Sequence, residues 1–502
     1  MESRVSPAPS RTVVVLAAGE GKRMRSAIPK MLHPLLGRTL LGHVLHAAEA
    51  VQAVRTVVVV GHKADQVRAH LAEVSPGAMP VLQAEQNGTG HAVRIALDAI
   101  PEAVGTVVVL NADVPLLRPE TVEALVAAHE SGSRGATVLA AEVPDPTGLG
   151  RIVRDAAGNL ERIVEQRDAS AEVRAIREIN AGIYVFDAAL LRGALGKLTT
   201  DNDQGEEYLT DVFALLATDG HAVGVHVAGD ARETLGCNDR AELAHLRGLL
   251  RERVNTAWMR SGVSILDPAT TWIDVTVTLE PDCVIDQNSQ LQGVTTVAAG
   301  AVVGPDTTLV DTVVAEGATV LRVHSIGAEI GPDASVGPFS YLRPGTRLGR
   351  KSKVGGFVET KNAELGAGAK VPHLSYVGDA TIGPKSNIGA GTIFANYDGV
   401  RKSHTTVGEA AFVGSDSVLI APVEIGPGAY VAAGSAVSKD VPAGNLGVVR
   451  APQRNIEGWV ARKRPGTVSA EAAERAEVKA EPSRSVSELS HGEPNIEGEG
   501  PA

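Results

Sequence analysis

Along residues 11 to about 240, short apolar runs alternate with segments of helical period. The runs "TVVVLAAG", "RTVVVVGH", "GTVVVLNADVPL" and "GATVLAAEV" are β-branched and nearly continuous. Between them lie "HVLHAAEAVQ", "HAVRIALDAI" and "PETVEALVAAHE". Strands that are apolar throughout are buried on both faces, so this alternation predicts a Rossmann-like α/β domain with a parallel sheet covered by helices. Ligands of such sheets bind beyond the carboxyl ends of the strands. Two polar segments fall there: the turn that follows residues 13–16, and Asn111-Ala112-Asp113.

From about residue 265 the period changes to six. Leu279, Ile285, Leu291, Val297, Val303 and Leu309 open the series, and Ile330, Val336, Leu342, Leu348 and Val354 continue it. Leu365, Val371 and Val377 follow, then Val407, Val413, Leu419, Ile425, Val431 and Val437. A six-residue beat fits neither a helix nor an alternating strand; it predicts the hexapeptide repeat of a left-handed parallel β-helix. Glycine often stands directly after the apolar residue. The beat breaks at "VETKNAE", at "NYDGVRKSHTT" and over residues 322–329, which predicts loops there.

The chain therefore divides into a first domain over 11–240, a linker helix over 241–262 and a β-helix over 263–460. The first ten residues and the stretch 465–502, poor in aromatics and rich in Ala, Glu, Ser, Pro and Gly, are expected to be disordered. At 502 residues, two or three domains are anticipated. Aromatics make up 3% against 54 glycines, which suits a narrow prism that admits only small side chains. With 47 basic and 59 acidic residues the net charge is −12, which excludes a nucleic-acid partner held by net charge. Two distant cysteines form no zinc spacing or disulfide framework and fit a reducing compartment. No apolar run is long enough for a membrane span and none marks a signal peptide, so a cytoplasmic protein is expected.

The first polar turn, "LAAGEGKRMRSAIPK", has the composition of a phosphate cradle. It lacks the G-x-x-x-x-G-K-[ST] of a P-loop, and Met24 stands where a dinucleotide fingerprint needs its third glycine. It does match the nucleotidyltransferase pattern L-x-x-G-x-G-x-R-M followed by P-K, through Leu16, Gly19, Gly21, Arg23, Met24, Pro29 and Lys30. Glycines let backbone N–H groups approach a triphosphate, while Arg23 and Lys30 neutralise charge on a departing pyrophosphate. In the second half, Arg343, Glu359, Lys361, His373, Tyr376 and Asn387 gather at or near breaks in the beat. A lone histidine in a repeat is more often structural; the surrounding Arg, Lys and Tyr favour chemistry.

Taken in order, "LAAGEGKRMRSAIPKMLH", "LQAEQNGTGHA", "DPTGLGRI", "EINAGIYVF", "QGEEYLTD", "LRPG", "GGFVETKNAELG", "HLSYVGDA", "NIGAGTIFANYDG" and "FVGSDSVLIAPV" resemble one family across about residues 11–460. It is the bacterial bifunctional N-acetylglucosamine-1-phosphate uridylyltransferase/glucosamine-1-phosphate N-acetyltransferase family. The resemblance implies a synthesis of UDP-N-acetylglucosamine that feeds peptidoglycan and other cell-envelope assembly. It assigns Leu16, Ala17, Ala18, Gly19, Gln83, Gly88 and Thr89 to the nucleotide, with Lys30 and Arg23 at the phosphates. Gly150, Glu165 and Asn180 would contact the sugar, and Asp113 and Asn238 would hold Mg²⁺. In the β-helix it makes His373 the general base, since imidazole accepts protons near neutral pH, with Glu359 beside the amine. Arg343, Lys361, Tyr376 and Asn387 would bind the sugar phosphate, and Ala390, Asn396, Tyr397, Ser415, Ala433 and Arg450 acetyl-CoA. It also implies a homotrimer with small-molecule substrates only: UTP, acetyl-CoA, glucosamine 1-phosphate and N-acetylglucosamine 1-phosphate. Lys22 stands where the family usually has threonine, and Ala112 where glycine is usual, which predicts that position 112 cannot adopt a positive φ cheaply. Two other readings remain: a monofunctional sugar-1-phosphate nucleotidyltransferase with a structural β-helix, and a nucleotide-binding regulator without turnover.

Overall fold

Strand β1, Arg11–Ala17, lies at the centre of a nine-stranded sheet. The other strands are β2 Arg55–Val60, β3 Met79–Leu82, β4 Thr106–Asn111, β5 Ala136–Glu142, β6 Gly150–Arg154, β7 Leu160–Val164, β8 Glu178–Asp187 and β9 Val223–Val227. The order is β9-β5-β8-β4-β1-β2-β3, with the β6–β7 hairpin attached to β8. Successive valines of β1 face opposite sides. Val13, Val15 and Ala17 meet α1 (Leu40–Ala48), α2 (Ala64–Val74) and α4 (Pro119–Ser131). Val14 meets α3 (Thr89–Asp98), α5 (Ala188–Leu195) and α6 (Asp211–Thr218). Both faces are thus dry, as the unbroken valine runs require.

The sheet departs from the parallel expectation at β8 and at the antiparallel β6–β7 hairpin beside it. β8 runs antiparallel to both β4 and β5. Between β5 and β8 the chain forms the β6–β7 hairpin and a single helical turn, Ala171–Arg174, in place of a long crossover helix, and β8 returns beside β5 antiparallel.

Helix α7, Arg240–Arg260, starts where the Asp239 carboxylate accepts the N–H groups of Ala241 and Glu242. Leu243, Leu246 and Leu250 bury one stripe against Met24, Leu35, Leu40 and Leu116 of the first half. One turn on, Val254 and Trp258 pack against the core of the second half. Asn255, fully buried, donates its Nδ2 to the carbonyls of Pro268 and Thr271, both at 3.0 Å.

The second half is a left-handed parallel β-helix. From Val284–Ile285 to Val302–Val303 the chain advances one coil, three hexads, and every beat residue named above is buried. Two of the three expected loops are strands instead. "VETKNAE" lies largely in Glu359–Leu365, paired with Tyr376–Ile382, and residues 322–329 contain Val323–Ile326. The beat vanishes there because hydroxyls replace apolar groups inside. Thr360 Oγ1 meets Thr346 Oγ1 at 2.9 Å, Ser325 Oγ meets Thr312 Oγ1 at 3.0 Å, and all four side chains are fully buried. Of the third, residues 396–404 leave the prism as a loop, and Thr405 and Thr406 begin the strand Thr405–Val407.

The glycine after the beat residue is explained by the stacking of coils. A Cβ on Gly366 would lie 2.6 Å from the Pro384 nitrogen and 3.0 Å from the Gly383 carbonyl carbon, both backbone atoms of the next coil. Gly366→Ala is therefore expected to destabilise the β-helix by about 1–3 kcal/mol through overpacking. A denaturant midpoint equal to that of the parent would contradict this.

The structure, a computed structural model, describes residues 10–480. They fall into two compact units, the first ending at Val448 and the second beginning at Val449. The prism's last strand is Leu446–Gly447, so it stops short of residue 460, where no apolar beat remains to fill a core. Residues 465–480, expected to be disordered, include the helix Val468–Ala480. Its sequence "VSAEAAERAEVKA" is built largely of strong helix formers. The disorder expected for residues 1–9 and 481–502 lies outside the described residues. Among the described residues no helix is long and apolar enough to cross a membrane, and Cys237 and Cys283 are free and buried.

Candidate functional site

The carboxyl edge of the sheet gathers the first set of residues. Residues 16–19 leave β1 in a tight path: Ala112 N–H donates to the Leu16 carbonyl at 3.1 Å, and Gln86 Nε2 to the Ala18 carbonyl at 3.1 Å. Ala17 and Ala18 are buried, and nothing approaches the Cβ direction of Gly19. Gly21 then takes a φ of +65°, and a Cβ there would lie 2.7 Å from Lys30 Cβ, so only glycine lets the turn close over that lysine. Arg23 stays exposed on the single turn Lys22–Met24, and Lys22 pairs with Glu20 at 3.0 Å rather than with the turn's interior. Ala112 does not have a positive φ; it is fully buried in the core, so alanine fits where strain was anticipated.

Lys30 is the centre of this edge. Its buried Nζ lies 2.6 Å from Asp113 Oδ2 and 3.2 Å from Asn238 Oδ1. Two oxygens from distant segments thus converge on one point that a cation occupies. Asn238 is held by its own N–H, which donates to Glu242 Oε2 at 2.6 Å in the first turn of α7. On the other flank, Gln83 is buried and its Nε2 donates to the Gly88 carbonyl at 3.2 Å. Thr89 Oγ1 accepts the Leu209 N–H at 3.1 Å, fixing the start of α3 to the "QGEEYLTD" segment.

Gly150, Glu165 and Asn180 meet on the β6–β8 side. Gly150 is in register with Asn180, and its Cβ direction points at both Glu165 carboxylate oxygens, 3.3 Å away. Asn180 is braced by Nδ2 donating to Tyr184 Oη and Oδ1 accepting the Gly182 N–H, both at 2.9 Å. Burial pushes the Glu165 carboxyl above its usual range, with Asp168 and Asp211 adding repulsion. A raised carboxyl pKa means that ionisation opposes folding, increasingly as pH rises above the unfolded carboxylate range. Glu165→Gln is expected to melt a few degrees higher than the parent at pH 7, with the gap closing under acid conditions. An equal or lower melting temperature at pH 7 would overturn that.

The β-helix brings together most of the second set. Arg343 pairs with Glu359 at 2.9 Å, and Glu359 lies beside Tyr376 on the next coil. Lys361 neighbours Gly378 in that ladder. A Cβ on Gly378 would run into Tyr376 Oη and come within 2.8 Å of Asn396 Nδ2, so these polar tips converge above a bare backbone position. Asn396 is buried and donates to Asp379 Oδ2 at 2.5 Å. His373 sits across a corner from Tyr376, exposed, at the end of the strand Lys370–His373. Its carbonyl accepts Ser375 Oγ at 2.7 Å, which fixes the corner. Asn387 lies on the His373 side, beside Lys370.

The loop 396–404 is closed by an antiparallel bridge between its own Tyr397 and Lys402. The neighbouring Lys402 ammonium lowers the pKa of Lys361. Lys402 and Asp379 escape the sequence reading; the only signal was a basic pair inside a glycine-bearing interruption of the beat. Tyr397 is exposed, with Oη donating to the Gly399 carbonyl. Ala390 and Ser415 occupy successive coils along a backbone column: Asp416 N–H donates to the Ala390 carbonyl and Gly434 N–H to that of Ser415. Ala433 lies next in that column, and Arg450 belongs to the second unit.

A nucleotide-facing α/β sheet followed by a β-helix with its own cluster of cations defines a nucleotidyltransferase with a second site. The MobA-like NTP transferase domain family matches residues 13–180. The bifunctional protein GlmU of Streptomyces avermitilis is 57% identical over 481 residues, covering 95% of this chain and 99% of that one. Its namesake in Corynebacterium efficiens is 52% identical over 472 residues, covering 93% and 97%. A solved UDP-glucose pyrophosphorylase complexed with UDP-glucose is 15% identical, covers 49% of this chain and 99% of its own, and has a TM-score of 0.40. The chain belongs to the GlmU family of bifunctional proteins.

Proposed function

We propose that the chain makes UDP-N-acetylglucosamine for cell-wall synthesis by two transfers at two separate sites. In the β-helix, the free amine of glucosamine 1-phosphate attacks the thioester carbonyl of acetyl-CoA. His373 takes the amine proton, and CoA leaves as a thiolate that is then protonated. Arg343, Lys361 and Tyr376, joined by Lys402, hold the sugar phosphate, while Glu359 and Asn387 orient the sugar. Two neighbouring lysines with Arg343 close by, against the one carboxylate of Asp379, suit an anion. Ala390, Asn396, Tyr397, Ser415, Ala433 and Arg450 receive acetyl-CoA.

In the sheet domain, a phosphate oxygen of N-acetylglucosamine 1-phosphate attacks the α-phosphorus of UTP and pyrophosphate leaves. Residues 16–19 with Gln83, Gly88 and Thr89 hold the nucleotide; Gly150, Glu165 and Asn180 hold the sugar; Arg23 and Lys30 neutralise the phosphates. Asp113 and Asn238 suit Mg²⁺, because their oxygens converge where an ammonium now sits. Among the described residues no cluster of three or more metal-ligating His, Cys, Asp or Glu side chains occurs, which fits an ion that takes its other ligands from water and phosphates. An ion held by Asp113 and Asn238 would supply positive charge to the phosphates. Lys30 is then free to turn to the triphosphate.

We also propose a cytoplasmic homotrimer of side-by-side prisms. Phe339 and Phe357 stack at 5.2 Å, and they and Leu374 are more than half exposed on consecutive coils next to His373. The observation that carries the reading is one chain with two polar sites, one at a sheet edge where Lys30 meets Asp113 and Asn238 and one on a prism where Lys361 and Lys402 lie together. Incubation with glucosamine 1-phosphate, acetyl-CoA, UTP and Mg²⁺ should release both CoA thiol and pyrophosphate. Without CoA release the second site is a scaffold and the reading fails.

A further inference from the structure

A cleft of 1160 Å³ separates the hairpin at residues 34–39, α1 and α2 from the first coils of the prism, with Arg247 of α7 between them. None of the residues assigned above to either transfer lines it. Its size is ample for a metabolite, and junctions between folded parts are common places for such sites. The walls are fixed rather than pliable. Val275 N–H donates to the Leu36 carbonyl at 3.1 Å, and a Cβ on Gly37 would lie 2.8 Å from Asp274 Cβ, so hairpin and prism are already in contact.

Two guanidinium groups face this cleft without a direct ion pair among the described residues. Arg38 is half-buried and makes no ion pair among the described residues; burial lowers its pKa, with Glu49 acting only from a distance to raise it. Arg247 donates one N–H to the Pro34 carbonyl at 3.1 Å and likewise makes no ion pair. The cleft's two carboxylates act on these arginines only through space, Asp274 on Arg247 and Glu49 on Arg38, and make their direct contacts with other groups. Glu49 is exposed and pairs with His46 at 3.1 Å, and Asp274 accepts the Gly293 N–H at 3.0 Å. In a chain of net charge −12, two guanidinium groups without an ion pair stand in one concavity, with Asp274 near Arg247 and Glu49 acting on Arg38. Around them stand side chains suited to hydroxyls, Gln292 and Thr276 among them. Trp272 is half-buried, with the Arg251 guanidinium 4.6 Å from its ring centre.

We propose that this cleft binds a phosphorylated sugar, as a site separate from both transfer sites. Arg38 and Arg247 take the phosphate through their forked N–H groups. Gln292, Thr276 and Asp274 take sugar hydroxyls, and the Trp272 ring meets the sugar's apolar face.

Calorimetric titration of the full chain with glucose 6-phosphate tests this. Saturable binding is expected that weakens at least tenfold in Arg38→Gln and in Arg247→Gln, and is unchanged in Arg343→Gln, which alters only the prism's cluster. Gln292→Ala, on the opposite wall, should weaken it as well. Both transfer activities should persist in the Arg38, Arg247 and Gln292 variants and so report that they are folded. Inorganic phosphate should bind at least tenfold more weakly than the sugar phosphate, and glucose should not bind measurably. Absence of saturable binding overturns the proposal, as does binding indifferent to Arg38→Gln and Arg247→Gln. Inorganic phosphate binding as tightly as the sugar phosphate also overturns it.

Discussion

His373→Ala should lower acetyl transfer by at least about 10²-fold, because general-base help is worth roughly 10²–10⁴-fold. An ammonium has no lone pair to offer a thioester, so the amine must shed a proton before or during attack. His373 is exposed at a corner whose other side carries Tyr376, and Tyr376 in turn neighbours Glu359 with its Arg343 partner. The corner's shape is set by backbone contacts and by Ser375, none of which needs the imidazole. The variant should therefore fold, assemble and keep uridylyl transfer from N-acetylglucosamine 1-phosphate. Raising the pH should restore part of its acetyl transfer, since more of the substrate amine is then neutral without help. CoA release against pH for parent and variant, with sedimentation for assembly, reads all of this. An assembled variant with the parent's rate would make His373 a surface residue of a scaffold.

What could be read in the chain follows from what each position must satisfy. A prism core admits one apolar side chain per face, so the beat from Leu279 to Val437 is written into the sequence at every sixth residue. Where Thr346 and Thr360 satisfy each other inside the core, the same geometry leaves no apolar trace, and a strand reads as a loop. The valines of β1 and β4 disclose burial on both faces; they carry no sign of strand direction, so the antiparallel β8 was hidden. The phosphate turn was legible because Gly21 must pass against Lys30, a local demand with a local signature. Lys402 was not, because its approach to Lys361 depends on how the excursion over residues 396–404 folds back across coils. The cleft at Arg38 was equally invisible: its walls come from segments more than 200 residues apart, such as Arg38 and Gln290.

Asp113→Ala should reduce pyrophosphate release by about 10²-fold or more, since charge stabilisation at a phosphoryl centre is worth several kcal/mol and each 1.36 kcal/mol is tenfold in rate. Among the described residues, Asp113 is the only carboxylate hydrogen-bonded to Lys30 Nζ, which also meets Asn238 Oδ1; with alanine, the proposed metal site would keep one neutral amide oxygen. Lys30 also loses its partner, and its ammonium is buried while Asp113 is about a quarter exposed. Some destabilisation follows, smaller than for a fully buried pair. Asp113→Asn separates the two effects. It retains an oxygen and a hydrogen-bond partner for Lys30 but removes the negative charge, so its deficit should shrink as Mg²⁺ is raised, whereas that of Asp113→Ala should persist. Acetyl transfer, measured as CoA release from the same samples, should continue in both. Near-parental uridylyl transfer by Asp113→Ala at limiting Mg²⁺ would remove Asp113 from the metal site and leave it as the structural counter-ion of Lys30.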